Sequence, residues 1–350
     1  MGTIAFYAPM KPPTHATPSG DRQMARALMA ALGDRAELVC ELRLYDGKGD
    51  GAVQAELEQQ ARDEAKRLIA KGGWRVWVTY HNYYKAPDII GPIVARALNI
   101  PYILIEATRS AKRLTGPWSR FAALAETATD HADLVFYFTE RDRVALEQMR
   151  PKGQRLVKLH PFLPRTDLPA PAPLTGQTIL TVAMLRGGDK LDSFRIIANT
   201  LPLLKTPDWH LQITGDGPAR AEIQTLFAPL APRITFLGQL DRGGLDQAYR
   251  DADAFLWPGV NEAFGMVYLE AQAAGLPVVA QNRDGVRDVV LADGLMPIDH
   301  GPIALAQALD RLLGSPAERQ MRGRKSRAFV AENHLLNTAS ETLWQHINAL

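Results

Sequence analysis

Two doubly wound α/β domains, each a parallel sheet covered by helices on both faces, with the two facing across a cleft, are the architecture this sequence predicts. Three observations predict it. The 350 residues suffice for two domains of ordinary size, each with its own core. Short continuous apolar runs alternate with longer helical patterns through both halves, as strands buried on both faces of a parallel sheet require. A proline-rich stretch, His160 to Gly176, breaks the alternation once, after which it restarts.

In order, "TIAFYA" precedes the helical "DRQMARALMAAL", "AELVCEL" precedes "AVQAELEQQARDEAKRLIAKG", and "WRVWVTY" precedes "PDIIGPIVARAL". "PYILIE" with "WSRFAALAETATDHA" and "DLVFYF" with "TERDRVALEQMR" complete the first half. After the break, "TILTVAML", "WHLQITG", "RITFLG", "DAFLWP" and "PVVAQ" are each followed by a helical segment. The chain therefore divides into a first domain over 1–165, a linker over 166–177 and a second domain over 178–330. A closing helical segment over 331–350 has no strand to pair with and is expected to pack back toward the first domain. The basic cluster Arg322 to Arg327 reads most simply as a solvated helix face.

Composition narrows the function. With 46% hydrophobic and 22% charged residues, disordered and fibrous classes drop out. No apolar run reaches the length of a membrane span, and the N-terminus lacks the pattern of a secretory leader, so the expected compartment is the cytoplasm. The single cysteine, Cys40, reads as a small core hydrophobe, and no Cys and His cluster has metal-ligand spacing. A net charge of +2 hides an asymmetry: residues 1–165 carry 24 Lys and Arg against 18 Asp and Glu, or +6, and the remainder 16 against 20, or −4. Nucleic-acid binding calls for stronger and more clustered basicity. The basic half suits an anionic acceptor or the headgroup surface of a membrane, and so a peripheral contact with one.

In doubly wound sheets, ligands bind beyond the carboxyl ends of the strands, close to helix N-termini. The loop after "DAFLWP" is such a place. A helix is expected from about Gly265 to Ala274, stopped by Gly275 and Pro277. At its start the amides of Ala263, Phe264, Gly265 and Met266 favour an anion such as phosphate, and Gly265 admits close approach to the backbone. Glu262 sits just before that turn, and Glu270 lies two turns in, able to accept hydrogen bonds from vicinal hydroxyls. The plain alternatives are a helix N-terminal acid for Glu262 and a partly exposed surface residue for Glu270. The apolar neighbours of Glu270 make the second less comfortable, since a buried carboxylate needs a partner.

The stretch "NEAFGMVYLEAQAAGLPVVA" resembles the signature of family 4 glycosyltransferases, retaining enzymes of the GT-B fold. The resemblance implies that Glu262 approaches the donor sugar, that Glu270 binds the ribose hydroxyls, and that the backbone of Ala263 to Met266 holds sugar and phosphate. In "TVAMLRGGDKLDSF", Arg186 and Lys190 fall on the family's diphosphate-binding Arg and Lys. A cationic pair suits a leaving group whose charge rises as the sugar departs. "LQITGDGP" matches the family's turn with Gly215, and "ITFLGQL" matches the segment whose backbone at Gly238 and Gln239 faces the base.

The first half departs from that pattern. Its first loop, "PMKPPTHATPSGDRQ", lacks the family's glycine pair, but Gly20 still leaves room for a phosphate or sugar, with Ser19 or Asp21 capping the helix. His81 follows a strand in "VTYHNYYKAPD", with Tyr83, Tyr84 and Lys85 beside it as an acceptor platform or a simple loop cover. Glu106 ends the next strand, where many relatives carry a His. Arg109, Lys112 and Arg113 follow it, either as a solvated loop or as a basic wall for an anionic acceptor.

The resulting expectation is a retaining, metal-independent glycosyltransferase that needs no cofactor and moves a sugar from a nucleoside-diphosphate sugar to a hydroxyl acceptor. Alternatives of the same architecture are a sugar-nucleotide epimerase, a phosphorylase, or an inactive nucleotide-sugar-binding protein. An oxidoreductase is disfavoured, because "PMKPP" follows the first strand where dinucleotide binding needs a glycine fingerprint.

Overall fold

The computed structural model describes residues 3–17 and 19–350. The chain forms two compact units, the first Met1–His160 with Ala339–Leu350 and the second Pro161–Thr338.

The first unit is built on six parallel strands: β1 (Thr3–Tyr7), β2 (Ala36–Cys40), β3 (Trp74–Asn82), β4 (Tyr102–Ala107), β5 (Leu134–Tyr137) and β6 (Arg155–Lys158). Their order is β2-β1-β3-β4-β5-β6. The direction of winding therefore reverses between β1 and β3, where a crevice opens beyond the strand ends. Helices α1 (Gly20–Leu32), α2 (Gly51–Lys71), α3 (Ile90–Leu98), α4 (Ser119–His131) and α5 (Glu140–Gln148) supply the crossovers. Ser19 caps α1 by accepting the Arg22 amide, and Asp50 caps α2 through the Ala52 and Val53 amides. Tyr7, Trp77, Leu104 and Phe121 lie in one core cluster, into which Cys40 also packs. Burial pushes the Cys40 thiol up to about 12, which fits a structural side chain.

The second unit repeats the plan with β7 (Thr178–Val182), β8 (His210–Thr214), β9 (Ile234–Gly238), β10 (Ala254–Leu256), β11 (Val278–Gln281) and β12 (Leu295–Met296). Their order is β12-β11-β10-β7-β8-β9, so the reversal falls between β7 and β10. The helices are α6 (Asp189–Thr200), α7 (Arg220–Phe227), α8 (Arg242–Arg250), α9 (Met266–Ala273), α10 (Gly301–Gly314) and α11 (Pro316–Asn333). The core stacks aromatics edge to face, with Phe194 and Trp257 5.3 Å apart and Phe255 and Tyr268 6.0 Å apart.

The proline-rich run packs on the second unit, where the Ala172 amide donates to Ala274 O at 2.8 Å and the Leu163 amide donates to His334 O at 2.8 Å. The tail is two helices, α11 and α12 (Leu336–Ile347), and its last residues belong to the first unit. There Ser340 Oγ donates to Ala31 O at 2.7 Å, and Arg35 lies 4.5 Å from the Trp344 ring.

One expectation fails along α11. Arg322 is buried, donating to Val278 O at 3.1 Å and pairing with Asp293 at 3.7 Å, and Arg327 donates to Pro169 O and Ala273 O. Only Arg324 and Lys325 of this cluster are fully exposed. Gly323 lets α11 settle onto α9, because a Cβ there would lie 2.3 Å from Gly275 O. At that closeness the flanking arginines must enter the interior, where they satisfy carbonyls of the chain beneath.

Candidate active site

The carboxyl ends of β7 and β10 are neighbours at the reversal point, and the loops that leave them carry the expected catalytic residues. Lys190 stands in the first turn of α6, and Glu262 on the loop before α9. Their side chains meet: Lys190 Nζ donates to Glu262 Oε1. Trp257 Nε1 donates to the same oxygen at 2.8 Å, and the Lys190 ammonium lies 5.2 Å from the Trp257 ring. The Glu262 side chain is 13% exposed and that of Lys190 20%. The ammonium is thereby fixed at the mouth of the crevice on an aromatic face, with a carboxylate setting its direction.

Several devices shape this loop. The Val260 amide donates to Ser193 Oγ at 3.1 Å, and Asn261 Nδ2 donates to Asp189 Oδ2 at 2.9 Å, tying the loop to the start of α6. Tyr268 OH donates to Trp257 O at 3.0 Å. Gly265 takes φ 76°, and no side chain caps the start of α9, so its first amides remain open to an anion. The helix runs Met266–Ala273 within the expected span, and Gly275 at φ 83° ends it.

Glu270 is held by Tyr249 OH, which donates to Oε2 at 2.9 Å. Burial pushes its carboxyl up, against the pull of that bond. Arg186 is exposed on the β7–α6 loop, and no protein partner engages its side chain among the described residues. Gly215 approaches the same loop so closely that a Cβ would lie 1.9 Å from Ala183 O, and its amide donates to Gly238 O at 2.8 Å. The turns bearing Gly215, Gly238 and Gln239 thus connect to the Arg186 loop through backbone contacts. Sequence reasoning missed Gly285, whose absent Cβ would fall 1.9 Å from Ala263 O and 2.9 Å from Glu262 O. Its only signal was the dipeptide Asp284-Gly285, a common turn.

In the first unit, His81 and Glu106 sit at corresponding ends of β3 and β4, and both take left-handed backbone, at φ 66° and 61°. Such strain in residues with side chains clusters at functional positions. His81 Nδ1 contacts Asp21 Oδ1 at 3.1 Å and lies 4.0 Å from Glu106 Oε2, which is buried without a hydrogen-bond partner. Burial opposes charge on His81, but Glu106 and Asp21 outweigh it and lift the imidazole to about 9. Burial also raises the Glu106 carboxyl, with Asp142 and Asp21 adding to it against His81. Gly20 begins α1 beside Asp21, and a Cβ there would meet nothing within 4 Å.

The basic wall expected from Arg109, Lys112 and Arg113 divides. Arg109 turns inward, its side chain 1% exposed, and donates at 2.6 Å to both Glu126 and Asp130. It is therefore a structural cation and not an acceptor contact. Two carboxylates four residues apart on one face of α4 draw it in, a spacing visible in the sequence. Lys112 and Arg113 remain exposed.

Comparison with known proteins bears on the family and the fold. Residues 176–315 match the family model described as "Glycosyl transferases group 1". The D-inositol 3-phosphate glycosyltransferase of Xylanimonas cellulosilytica is 33% identical over 220 residues, 57% of this chain, and the match spans half the length of that relative. Among solved structures, sucrose-phosphate synthase from Thermosynechococcus elongatus superposes with a TM-score of 0.73 at 19% identity, covering 100% of this chain and 99% of that one. The pneumococcal O-GlcNAc transferase GtfA in complex with UDP and GlcNAc has a TM-score of 0.58 at 17% identity, over 85% of this chain and 60% of its own. No helix among the described residues is long and apolar enough to cross a membrane. With its two parallel six-stranded sheets the chain has the GT-B fold, and residues 176–315 of its second unit are similar to the group 1 glycosyl transferases.

Proposed function

We propose that the chain transfers a sugar from a nucleoside-diphosphate sugar to a hydroxyl acceptor with retention at the anomeric carbon. The observation that carries this reading is the Lys190–Glu262 pair on the Trp257 face, beside the uncapped start of α9. Lys190 and the unpartnered Arg186 supply positive charge for a departing diphosphate, and the open amides of α9 add to it. Charge stabilisation of the leaving group then comes from the protein's own cations, and no metal enters the reading. Glu262 orients the sugar, and Glu270, with one oxygen held by Tyr249, keeps the other for ribose hydroxyls. The backbone at Gly238 and Gln239 borders the base. In front-side attack the departing phosphate accepts the acceptor proton, so no protein nucleophile is needed. A relative named for a phosphorylated acceptor and a fold neighbour bound to UDP support the same class of substrates.

Lys190→Ala tests it. Turnover should fall by about 10²-fold or more, the scale for losing one charge-stabilising donor. Folding stability should drop by only about 1–3 kcal/mol, as for a partly buried ion pair. Near wild-type turnover in a folded variant would refute the assignment. Nucleoside diphosphate released only when acceptor is present separates transfer from epimerase and phosphorylase chemistry.

A further inference from the structure

We propose that Tyr84, Lys85, Arg113 and Trp118 of the first unit form a binding platform for a hexose-sized ring that bears a phosphate or carboxylate. The inference deepens the transfer reading and rests on it, since that ring would be the acceptor. The Arg113 guanidinium lies 4.6 Å from the Tyr84 ring centroid and 5.6 Å from that of Trp118. The Lys85 ammonium lies 5.7 Å and 5.2 Å from the same two rings. The rings meet edge to face, 5.8 Å apart at 89°. Two cations thus share one aromatic surface, and among the described residues no carboxylate pairs with either. Arg62, Arg67, Lys71, Arg120 and Arg143 of the same unit each hold a carboxylate, and Arg43 and Arg75, which also lie over rings, donate to Met10 O and Asn348 Oδ1. Uncompensated charge over half-buried rings selects a ligand that joins an anion to an apolar face, and a sugar ring offers its C–H face.

The platform is built rigidly from the loops after β2, β3 and β4. Trp118 Nε1 donates to Asp46 O at 3.1 Å, Gln54 Nε2 donates to Pro117 O at 2.9 Å, and the Asp46 amide donates to Lys85 O at 2.9 Å. Gly49, at φ 78°, lies under Pro117 and Trp118, where a Cβ would come within 2.5 Å and 3.3 Å of them. Tyr83 and Ala86 pair across a tight turn that presents Tyr84 and Lys85, and the buried Asp88 behind it anchors the start of α3 by accepting the Gly91 amide. A solvated loop would need none of this. The rings continue from Tyr84 through Tyr83, at 5.4 Å, to His81, at 4.7 Å, and so reach the strand end beside Glu106. The loop's one large exposed apolar side chain is Leu114, a narrower apolar face than a lipid-inserting surface carries.

The test titrates the full chain with glucose 6-phosphate, glucuronate and glucose by calorimetry, comparing wild type with K85Q/R113Q and Y84A. Wild type should bind the two anionic sugars about tenfold or more tightly than glucose, the factor expected of one charge-assisted hydrogen bond. K85Q/R113Q should lose that preference, Y84A should weaken all three sugars, and UDP should raise the melting temperature of all three proteins equally. The single variant R113Q, at an exposed position, gives the same readout should the double variant fail to fold. Equal affinity of wild type for the three sugars, or an unchanged preference in K85Q/R113Q, would overturn the proposal. So would binding of wild type to phosphatidylglycerol vesicles, lost in K85Q/R113Q, with no sugar preference. A persisting sugar preference without any UDP-induced shift would leave the platform standing and remove the nucleotide-sugar reading instead.

Discussion

The imidazole of His81 is packed between Asp21 and Glu106, with Tyr80, Asp142 and the Tyr83 ring around it. Its lift from the ordinary value to about 9 means that the folded chain binds this proton more tightly than the unfolded one. The stabilisation is complete below the unfolded value of about 6.5 and is lost as pH rises through 9. Asp21 carries the opposite sign. Its carboxyl is lowered because the His81 hydrogen bond and charge outweigh its burial, so its contribution is lost only as pH falls through that lowered value. Proton-detected NMR titration of the imidazole should therefore place His81 near 9, and Asp21→Asn should bring it down. An unshifted value in the wild type would show that the cluster does not hold a charged imidazole. The strand-end position of His81 was legible from the sequence. Its left-handed backbone and its two carboxylates were not, because Asp21 and Glu106 come from other elements, and only the order of strands joins them.

Among elements, the loop between β10 and α9 shows how backbone clearance sets side-chain chemistry. Gly285, at φ 80°, lies directly beneath the Glu262 and Ala263 carbonyls. Gly285→Ala should cost about 1–3 kcal/mol or more, since it combines left-handed strain with a clash against backbone that cannot rotate away. It should also weaken donor binding by displacing Glu262. Gly20→Ala is the matched control. With open space around it at the start of α1, it should leave stability unchanged or raise it by up to about 0.5–1 kcal/mol. Activity lost in a stable Gly20→Ala protein would mean that a ligand approaches that backbone; full activity would mean that Gly20 only starts the helix. The helices and interior strands were legible from apolar period and from stops such as Gly275 and Pro277. The two strands not foreseen, β6 and β12, are sheet edges four and two residues long, too short to carry a period. Arg109 and Arg322 were misread for a related reason: a basic run looks solvated until the element that buries it is known.

Taken as a whole, the molecule carries its excess positive charge in the wrong half for a simple electrostatic account of donor binding. Residues 1–165 hold +6, while the half containing Arg186, Lys190 and the open end of α9 holds −4. On the proposed function, a diphosphate is gripped by local groups, two cations and a few amides, and not by the field of the half that contains them. Local gripping makes a spatial prediction. On adding UDP, slowed hydrogen exchange should be largest in residues 183–190, 215–219, 238–241 and 262–267, the loops leaving β7, β8, β9 and β10. At a concentration near one hundred times its dissociation constant, UDP should stabilise the native state by about 2.7 kcal/mol. Because those contacts are short-ranged and partly shielded, moderate salt should weaken the effect only slightly. Protection confined to the loops after β3 and β4, or a steep loss of binding with salt, would mean that the nucleotide is drawn to the basic half. The roles given to Lys190 and Glu262 would then have no basis.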